Sequence, residues 1–397
     1  MRCYYEAYYD FRKHCRDSKE QQAFEEEYAV NLTRMRDEVV SRKLDLGASS
    51  AFVVKKPKPR EVFAGSVKKR ILDTLCVRLL KPYMDGKFSY RQYNVRKGFG
   101  LTQYQEQLQA DMREAAGKLR DPYVLGLDVK SFFMDMRKEI IWKLWEEVIL
   151  EWYDGPYKRE LLYIMHEIVW YEPEKRCVIK GNQGDWRLIP PHKSLFTNGK
   201  DKGMPIGDLV SQYSALLMMR RLVLWMECRY HYTALFMDDF YIIGEHAELL
   251  KAIPLVRQKL SEVELSLNEK KTYLQPIRHG IKSCGTVIYP DRAYVSNRVV
   301  RDAVQRMLFF NDRIRGDPSE LCQSMNSYFG ILRHFRTYNI RKTLVRMVPP
   351  EWWNKIYIKG HYEIFKIKKH GSKRNLSESR FCADFGTDKR NGSGALR

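Results

Sequence analysis

The sequence predicts an α+β chain, with a mainly antiparallel sheet, helices packed on one face of it, and a helical carboxy-terminal third. Three observations predict this class. Predicted elements run strand, helix, helix, strand hairpin, helix, strand, which is not the regular alternation of a parallel sheet. In "ALFMDDFYIIG", two β-branched and aromatic runs meet at an Asp pair, as the arms of a hairpin do. With 397 residues, 44% hydrophobic and 13% aromatic, the chain can bury a substantial core in two or three lobes, and a disordered chain is excluded.

Residues 1 to about 46 read as charged helices, because "EEEYAVNLTRMRDEVVSRKL" sets Val30, Leu32, Met35, Val39 and Val40 at helical spacing. After a turn at "GASS", "AFVVKKPKPREVF" reads as two short strands around a basic link, since Pro57 and Pro59 cannot donate to a central ladder. "SVKKRILDTLCVRLLKPYM" is an amphipathic helix with Ile71, Leu72, Leu75, Cys76, Leu79 and Leu80 on one face. Lys68, Lys69 and Arg70 crowd its start, against the helix dipole, so an anion is expected there. "YVLGLDVKSFF" is an apolar run carrying Asp128, and it feeds a helix with Ile140, Ile141, Leu144, Trp145, Val148 and Ile149 inward. The interval 171–207 is long for a loop and reads as an insertion or a binding element. A helix from "LVSQYSALLMMRRLVLWM", the Asp-pair hairpin, a helix over about 246–264 and strands at "KTYLQPI" and "SCGTVIY" follow, the last placing Cys284 in the core. The polar, Gly- and Ser-rich final stretch is expected to be mobile.

Lys and Arg total 70 against 49 Asp and Glu, a net charge of +21, which favours a polyanionic partner such as nucleic acid. No apolar run is long enough to span a bilayer, and the amino terminus has no signal-peptide core, so a cytoplasmic protein without a membrane partner is expected. The eight cysteines stand singly, and the adjacent His14 and Cys15 cannot close a zinc site.

An Asp-rich turn alone is an ordinary solvated hairpin tip. Asp238 and Asp239 lie, however, within an apolar run, where each raises the cost of ionising the other. A sheet that brings Asp128 to the same face gathers three carboxylates, which a cation must neutralise. Hard oxygen donors of this kind select Mg²⁺ or Mn²⁺. Two such ions, roughly 3.5 to 4 Å apart, stabilise the attacking and leaving oxygens of phosphoryl transfer.

In order, "LDVKSFF", "MPIGDLVSQ", "FMDDF", "LNEKKT" and "SCGTVIY" resemble the palm motifs of a reverse transcriptase, and "KPREVFAGSVKKRILDTLC" with "YNVRKGFG" resembles its fingers. More closely, "AYYDFRKHCRDSKEQQAFE", "IGDLVSQ", "QGDWRLIPPHKSLF" and "SMNSYFGILRHF" are similar to the reverse transcriptases of diversity-generating retroelements, over about residues 5 to 345. The resemblance implies a right-hand polymerase: a helical extension at 1–50, fingers at 51–122, a palm at 123–295 with an insertion at about 171–203, a thumb at 296–348 and a carboxy-terminal extension at 349–397.

It further implies that Asp128, Asp238 and the Val129 carbonyl hold two Mg²⁺ ions, or Mn²⁺, with Asp239 as a further carboxylate. Phe133 would bar a ribose 2′-OH and so select dNTPs, Arg70 with Lys69 would clamp the triphosphate, and Lys271 would approach the leaving pyrophosphate. Ile206 and Gly207 would border the incoming nucleotide, while Pro205, Ser211, Gln212 and Met237 would lie along template and primer. Arg91, Arg96 and Lys97 in the fingers, and Arg333, Arg336, Arg341, Lys342 and Arg346 in the thumb, would track the phosphate backbone.

Ile206 stands where most reverse transcriptases carry a glutamine. An aliphatic group makes no geometry-sensing hydrogen bond, a loss of about 1 kcal/mol or roughly fivefold in selectivity, so error-prone copying is expected. In the resembling group, template adenines are miscopied and the cDNA diversifies a target gene. Template RNA, cDNA, dNTPs and a small basic, oligomeric accessory variability protein are the implied partners. A retron-like or phage-defence reverse transcriptase shares the same palm chemistry, and a catalytically silent RNA-binding scaffold would share only the charge.

Overall fold

The computed structural model describes residues 1–13, 18–55 and 58–368. They form two units, Met1–Ile281 with Ile288–Arg292, and Lys282–Val287 with the chain from Ala293 onward. His14, Cys15, Pro57, Cys382 and the stretch expected to be mobile lie outside the described residues.

The first unit starts with helices α1 (Arg2–Arg12), α2 (Lys19–Glu26) and α3 (Tyr28–Val40). The helical step leaves Leu32, Met35 and Val39 on one buried stripe but turns Val30 and Val40 to solvent, a narrower face than the sequence suggests. Strands β1 (Ser49–Val54) and β2 (Arg60–Ala64) pair antiparallel across the proline-containing link. Next comes α4 (Val67–Met84), capped by Ser66, whose hydroxyl accepts from Lys69 N at 3.1 Å. The anions expected at its basic start belong to the protein itself. Glu20 accepts from Val67 N at 2.7 Å, Glu38 pairs with Lys68 at 2.6 Å, and Asp73 and Asp208 take Lys69.

The chain continues through β3 (Gln92–Tyr93), α5 (Leu101–Lys118), β4 (Pro122–Asp128), the single turn α6 (Phe132–Asp135), α7 (Lys138–Glu147) and α8 (Lys158–Trp170). Of the face expected on α7, Ile141 and Trp145 are buried, and Trp145 Nε1 donates to Ser214 Oγ at 2.8 Å. Val148 and Ile149 are also buried, but on a π-helical turn that follows α7.

The long interval is not a free loop. Its strand β5 (Cys177–Ile179) pairs in parallel with β1, extending the β1–β2 hairpin to three strands. Lys180 N donates to Ala51 O at 2.8 Å, and buried Glu61 of β2 accepts from Ser194 Oγ (2.6 Å) and Leu195 N (2.5 Å). Phe63, Phe196 and Trp186 add a run of ring contacts at 5.5 and 5.3 Å.

Helix α9 (Leu209–Glu227), strands β6 (Tyr232–Phe236) and β7 (Asp239–Glu245), helix α10 (His246–Ser261) and strand β8 (Tyr273–Pro276) complete the main sheet, in the order β3-β6-β7-β4-β8. Only the β3–β6 pair is parallel. Alternation along β7 sends Phe240 and Ile242 into the main core shared with α9 and α10, while Tyr241 reaches α5, donating to Asp111 at 2.8 Å. Helices therefore touch both faces of the sheet, where the sequence suggested one. Asp128 and Asp239 share the face of Tyr241 by that alternation.

The run "SCGTVIY" is divided between strands β9 (Ile281–Ser283) and β10 (Thr286–Ile288), and β11 (Ala293–Val295) follows it. Cys284 and Gly285, at φ 45° and 89°, turn the chain between β9 and β10, so Cys284 is exposed and not part of the core. In the second unit, α11 (Asn297–Asn311), α12 (Pro318–Leu332) and α13 (Tyr338–Arg346) enclose a core with Met307, Phe310 and Phe329. Trp352 joins it from a 3-10 turn (Pro350–Asn354), and Ile356 and Phe365 from a final hairpin, β12 (Ile356–Lys359) and β13 (Ile364–Ile367), so this core continues past residue 348. Among the described residues no helix is long and apolar enough to cross a membrane.

Candidate active site

Strand pairing alone brings the three aspartates together. Asp128 ends β4 directly opposite Asp239, the first residue of β7, and Val129 N donates to Asp238 O at 3.0 Å. Met237 and Asp238 form the two-residue tip between β6 and β7, with Met237 at φ 57°. A methionine in the left-handed region is strained, and such strain persists only where surrounding contacts hold it. Ser131, at φ 44°, turns the chain sharply after β4 in the same way.

The loop after α10 supplies the counter-groups. Asn268 N donates to Asp128 O (2.8 Å), Asn268 Nδ2 to Asp128 Oδ1 (2.8 Å), and Lys271 Nζ to Asp128 Oδ2. Asp128 is 3% exposed, whereas the Lys271 side chain is 48% exposed and reaches inward from solvent. Burial, and then the Asp128 charge, raise the Asp238 carboxyl above its ordinary range. Burial, the Asp238 charge and a hydrogen bond shared with Asp128 push Asp239 up to about 7. For Lys271 burial works downward, but the bond to Asp128 and the charges of Asp128, Asp239 and Asp238 together outweigh it, and the ammonium is held more firmly charged.

This donor set is oxygen-only and electrostatically unfavourable without a cation, which fits a hard divalent ion. Among the described residues no three His, Cys, Asp or Glu side chains already form a closed cation cage.

Around this centre the expected residues divide. Phe132 is buried and Phe133 half-buried, their rings 5.5 Å apart. The pair lies on α6, where the helical step sends the two rings in different directions. Met204 N donates to Phe133 O at 2.8 Å, which ties the segment leading into α9 to the turn after β4. Pro205 is buried, and half-buried Ile206 packs beside Ala51, Phe63, Met134 and Leu195. Gly207 is exposed at φ 117°, and a Cβ there would lie 3.2 Å from Val62 Cγ1. Ser211 is buried on α9 and Gln212 half-buried.

Several cations expected to meet phosphate are instead engaged inside the protein. Lys69 is 1% exposed between Asp73 and Asp208, so its charge is already taken and the triphosphate reading does not suit it. Arg70 lies over the Phe11 ring at 5.0 Å. Arg91 forks onto buried Asp111 at 2.7 and 2.9 Å. Arg96 is buried, bonding Ser89 O (2.6 Å) and Gln92 O and stacking on Phe99 at 3.9 Å. Arg341, in the second unit, is buried on His361 O (2.9 Å) and Tyr362 O (2.8 Å). Lys97 and Arg333 are exposed.

Sequence reasoning did not single out Asn268, although an amide three residues before Lys271 in "LNEKK" was there to read. Glu61 and Asp208 carried no local signal, since their partners Ser194 and Lys69 lie more than a hundred residues away in sequence.

The family described as Reverse transcriptase (RNA-dependent DNA polymerase) matches residues 54–287, more than half of the chain. No match is found among the curated proteins. Of the solved structures, apo telomerase from Candida tropicalis truncated from its C-terminal domain aligns with a TM-score of 0.43 and 11% identity, over 63% of this chain. The aligned part spans 55% of that structure's chain.

Proposed function

Because the chain belongs to the reverse transcriptase family, we propose that it extends a DNA strand on an RNA template by two-metal nucleotidyl transfer, miscopying template adenines so that the cDNA diversifies a target gene. The observation that carries the polymerase reading is the β4–β7 register, with Asp128 opposite Asp239 and Asp238 at the adjoining tip. "IGDLVSQ", with Ile206 and Gln212, supports the diversifying role.

Reverse transcriptase domains use divalent metal ions, and Asp128, Asp238 and the Val129 carbonyl are the donors that would hold Mg²⁺ or Mn²⁺ here. When bound, such ions supply charge stabilisation for the attacking and leaving oxygens. Asn268 and Lys271 each hold one oxygen of Asp128, so this carboxylate is oriented before substrate arrives. Lys271 is exposed enough to exchange Asp128 for a phosphate oxygen. Phe133 would stand against C2′ and leave no room for a ribose hydroxyl. Exposed cations such as Lys97 and Arg333 would follow the phosphate backbone, and a basic accessory variability protein would complete the assembly.

The test is primed synthesis on a defined RNA with dNTPs and Mg²⁺, followed by sequencing of the product. Asp238→Ala is expected to abolish synthesis and leave RNA binding intact; persistent synthesis in that variant overturns the site. Errors concentrated opposite template adenines support diversification, while faithful cDNA favours a retron-like role.

A further inference from the structure

Lys69, Asp73 and Asp208 form a buried charge cluster that shares no residue with the Asp128, Asp238 and Asp239 centre. Lys69 Nζ, on the first turn of α4, is 2.6 Å from Asp208 Oδ2 and 3.0 Å from Asp73 Oδ2, and all three side chains are 5% exposed or less. Asp73 is one turn beyond Lys69 on the same helix, so that pair is local. Asp208 is not local. It comes from the residue just before α9, joining α4 to the segment that carries Ile206 and Gly207.

Asp208 occupies the N-cap position of α9, where an aspartate ordinarily accepts a hydrogen bond from its own helix. Here its side chain makes no cap bond and turns to Lys69 instead. The segment is fixed elsewhere too: Gly203 N donates to Met136 O (2.8 Å), Met204 N to Phe133 O (2.8 Å), and Ile206 O accepts from Phe63 N (3.3 Å). Gly207 lies between the β2 contact and the Asp208 contact, in a conformation with no helical or strand bonding of its own. Two carboxylates share one ammonium, one more than Lys69 needs for neutrality, and burial with the Asp208 charge pushes the Asp73 carboxyl up to about 7 against the pull of Lys69, so the second carboxylate is held at an electrostatic cost. A second carboxylate retained at that electrostatic cost, and taken from a helix cap, does something the Lys69–Asp73 pair does not.

We propose that Asp208, held by Lys69, is a positioning residue for nucleotide selection, fixing the Ile206–Gly207 backbone at the height at which it borders the incoming dNTP. The inference rests on the reading above that this segment borders the nucleotide. Asp208 touches neither substrate nor metal in this scheme; it acts through the segment in front of it.

Three full-length variants test it by steady-state primer extension with varied dNTP and by misincorporation frequency. Asp208→Ser breaks the link yet restores a good helix cap, so α9 keeps its start. It is expected to raise KM for dNTP roughly tenfold with kcat within about twofold, the pattern of lost ground-state positioning, and to change the misincorporation frequency. Asp208→Asn keeps an acceptor for Lys69 and is expected to restore most of the KM. Asp73→Asn removes the other carboxylate from the same ammonium but leaves the Asp208 link, so its KM is expected to match the wild type.

Unchanged KM and error frequency in folded Asp208→Ser overturn the proposal. Equal KM shifts in Asp208→Ser and Asp73→Asn also overturn it, because the cluster is then only a stability element. The same holds if neither Asp208 variant folds. Asp238→Ala, assayed alongside, separates the two readings. If it is inactive while Asp208→Ser is indistinguishable from wild type, the positioning role fails and the active site stands; if it remains active, the site itself is misplaced.

Discussion

Replacing Asp239 by asparagine should stabilise the metal-free protein while reducing synthesis. Burial and the neighbouring carboxylates raise Asp239 from 3.8 to about 7. At one tenfold change per 1.36 kcal/mol, ionising this group in the folded chain costs on the order of 4 kcal/mol more than in the unfolded chain. The sign follows from proton counting. Between about pH 4 and about pH 7 the folded state holds a proton that the unfolded state has lost, so this group's contribution to stability declines as pH rises. Above about pH 7 the cost is complete. Asparagine preserves the shape and a hydrogen bond toward Asp128 but carries no charge. With Asp128 and Asp238 still repelling each other, roughly half of that cost or more should be recovered, about 2 to 4 kcal/mol at pH 8. The assay is denaturant unfolding of wild type and Asp239→Asn in chelator at pH 8 and at pH 4, with primer extension alongside. Added Mg²⁺ should stabilise the wild type more than the variant, since it binds the folded state alone. No gain at pH 8, or an equal gain at both pH values, would refute the argument that the cost of ionising a buried carboxyl beside other carboxylates is the source.

Ile206→Gln is expected to lower misincorporation about fivefold, from one added hydrogen bond of about 1 kcal/mol; because Ile206 also packs on Phe63 and Leu195, some stability should be lost with it, and an unchanged error spectrum would leave Ile206 a packing residue. Glu61→Ala strands two buried donors, Ser194 Oγ and Leu195 N, at about 1 to 3 kcal/mol each, so unfolding should shift by about 2 to 4 kcal/mol after relief of the buried carboxylate, with faster proteolysis within 183–200. Glu61→Gln can accept from Leu195 N and donate to Ser194 Oγ, which is free to rotate, and should fall well short of that loss; equal losses in both variants would point to side-chain volume instead of hydrogen bonding.

Elements with a clean period were legible in the sequence. Helix α4 shows its inward face as written, and the Asp128 strand and the Asp-pair hairpin follow from apolar, β-branched and aromatic runs and a two-residue tip. Pairing those strands in register then brings Asp128 opposite Asp239, so the centre of the site needed no information beyond strand order. What the sequence did not show depends on contacts distant along the chain. β5 is three residues long, and its partner β1 lies more than a hundred residues earlier, so nothing local marks it as a strand. Cys284 illustrates a different failure: a run of β-formers hides a turn made by one residue in the left-handed region followed by glycine. The hairpin at β12 and β13 is legible only once Trp352 and Phe365 are seen to fill the core between α11 and α12.

The basic residues show where composition stops being informative. A charge of +21 indicates an anionic partner for the chain as a whole but does not say which cations meet it. Lys69, Arg96 and Arg341 each stand beside another cation in the sequence, yet each is buried on a carboxylate or on backbone carbonyls. Burial of that kind requires a partner, because an unpaired interior charge costs more than the fold can carry. The partner residues are therefore the better indicator: a cation with a buried Asp or a carbonyl in reach belongs to the fold, and one without belongs to the surface. By that criterion Arg91, forked onto Asp111, holds α5 against the main sheet together with Tyr241, while Lys97, six residues later and exposed, is free to meet a phosphate. The dependence of RNA affinity on salt counts cations of the second kind. Removing Lys97 should lower that dependence, whereas removing Arg96 should act first on the fold of the 89–99 segment.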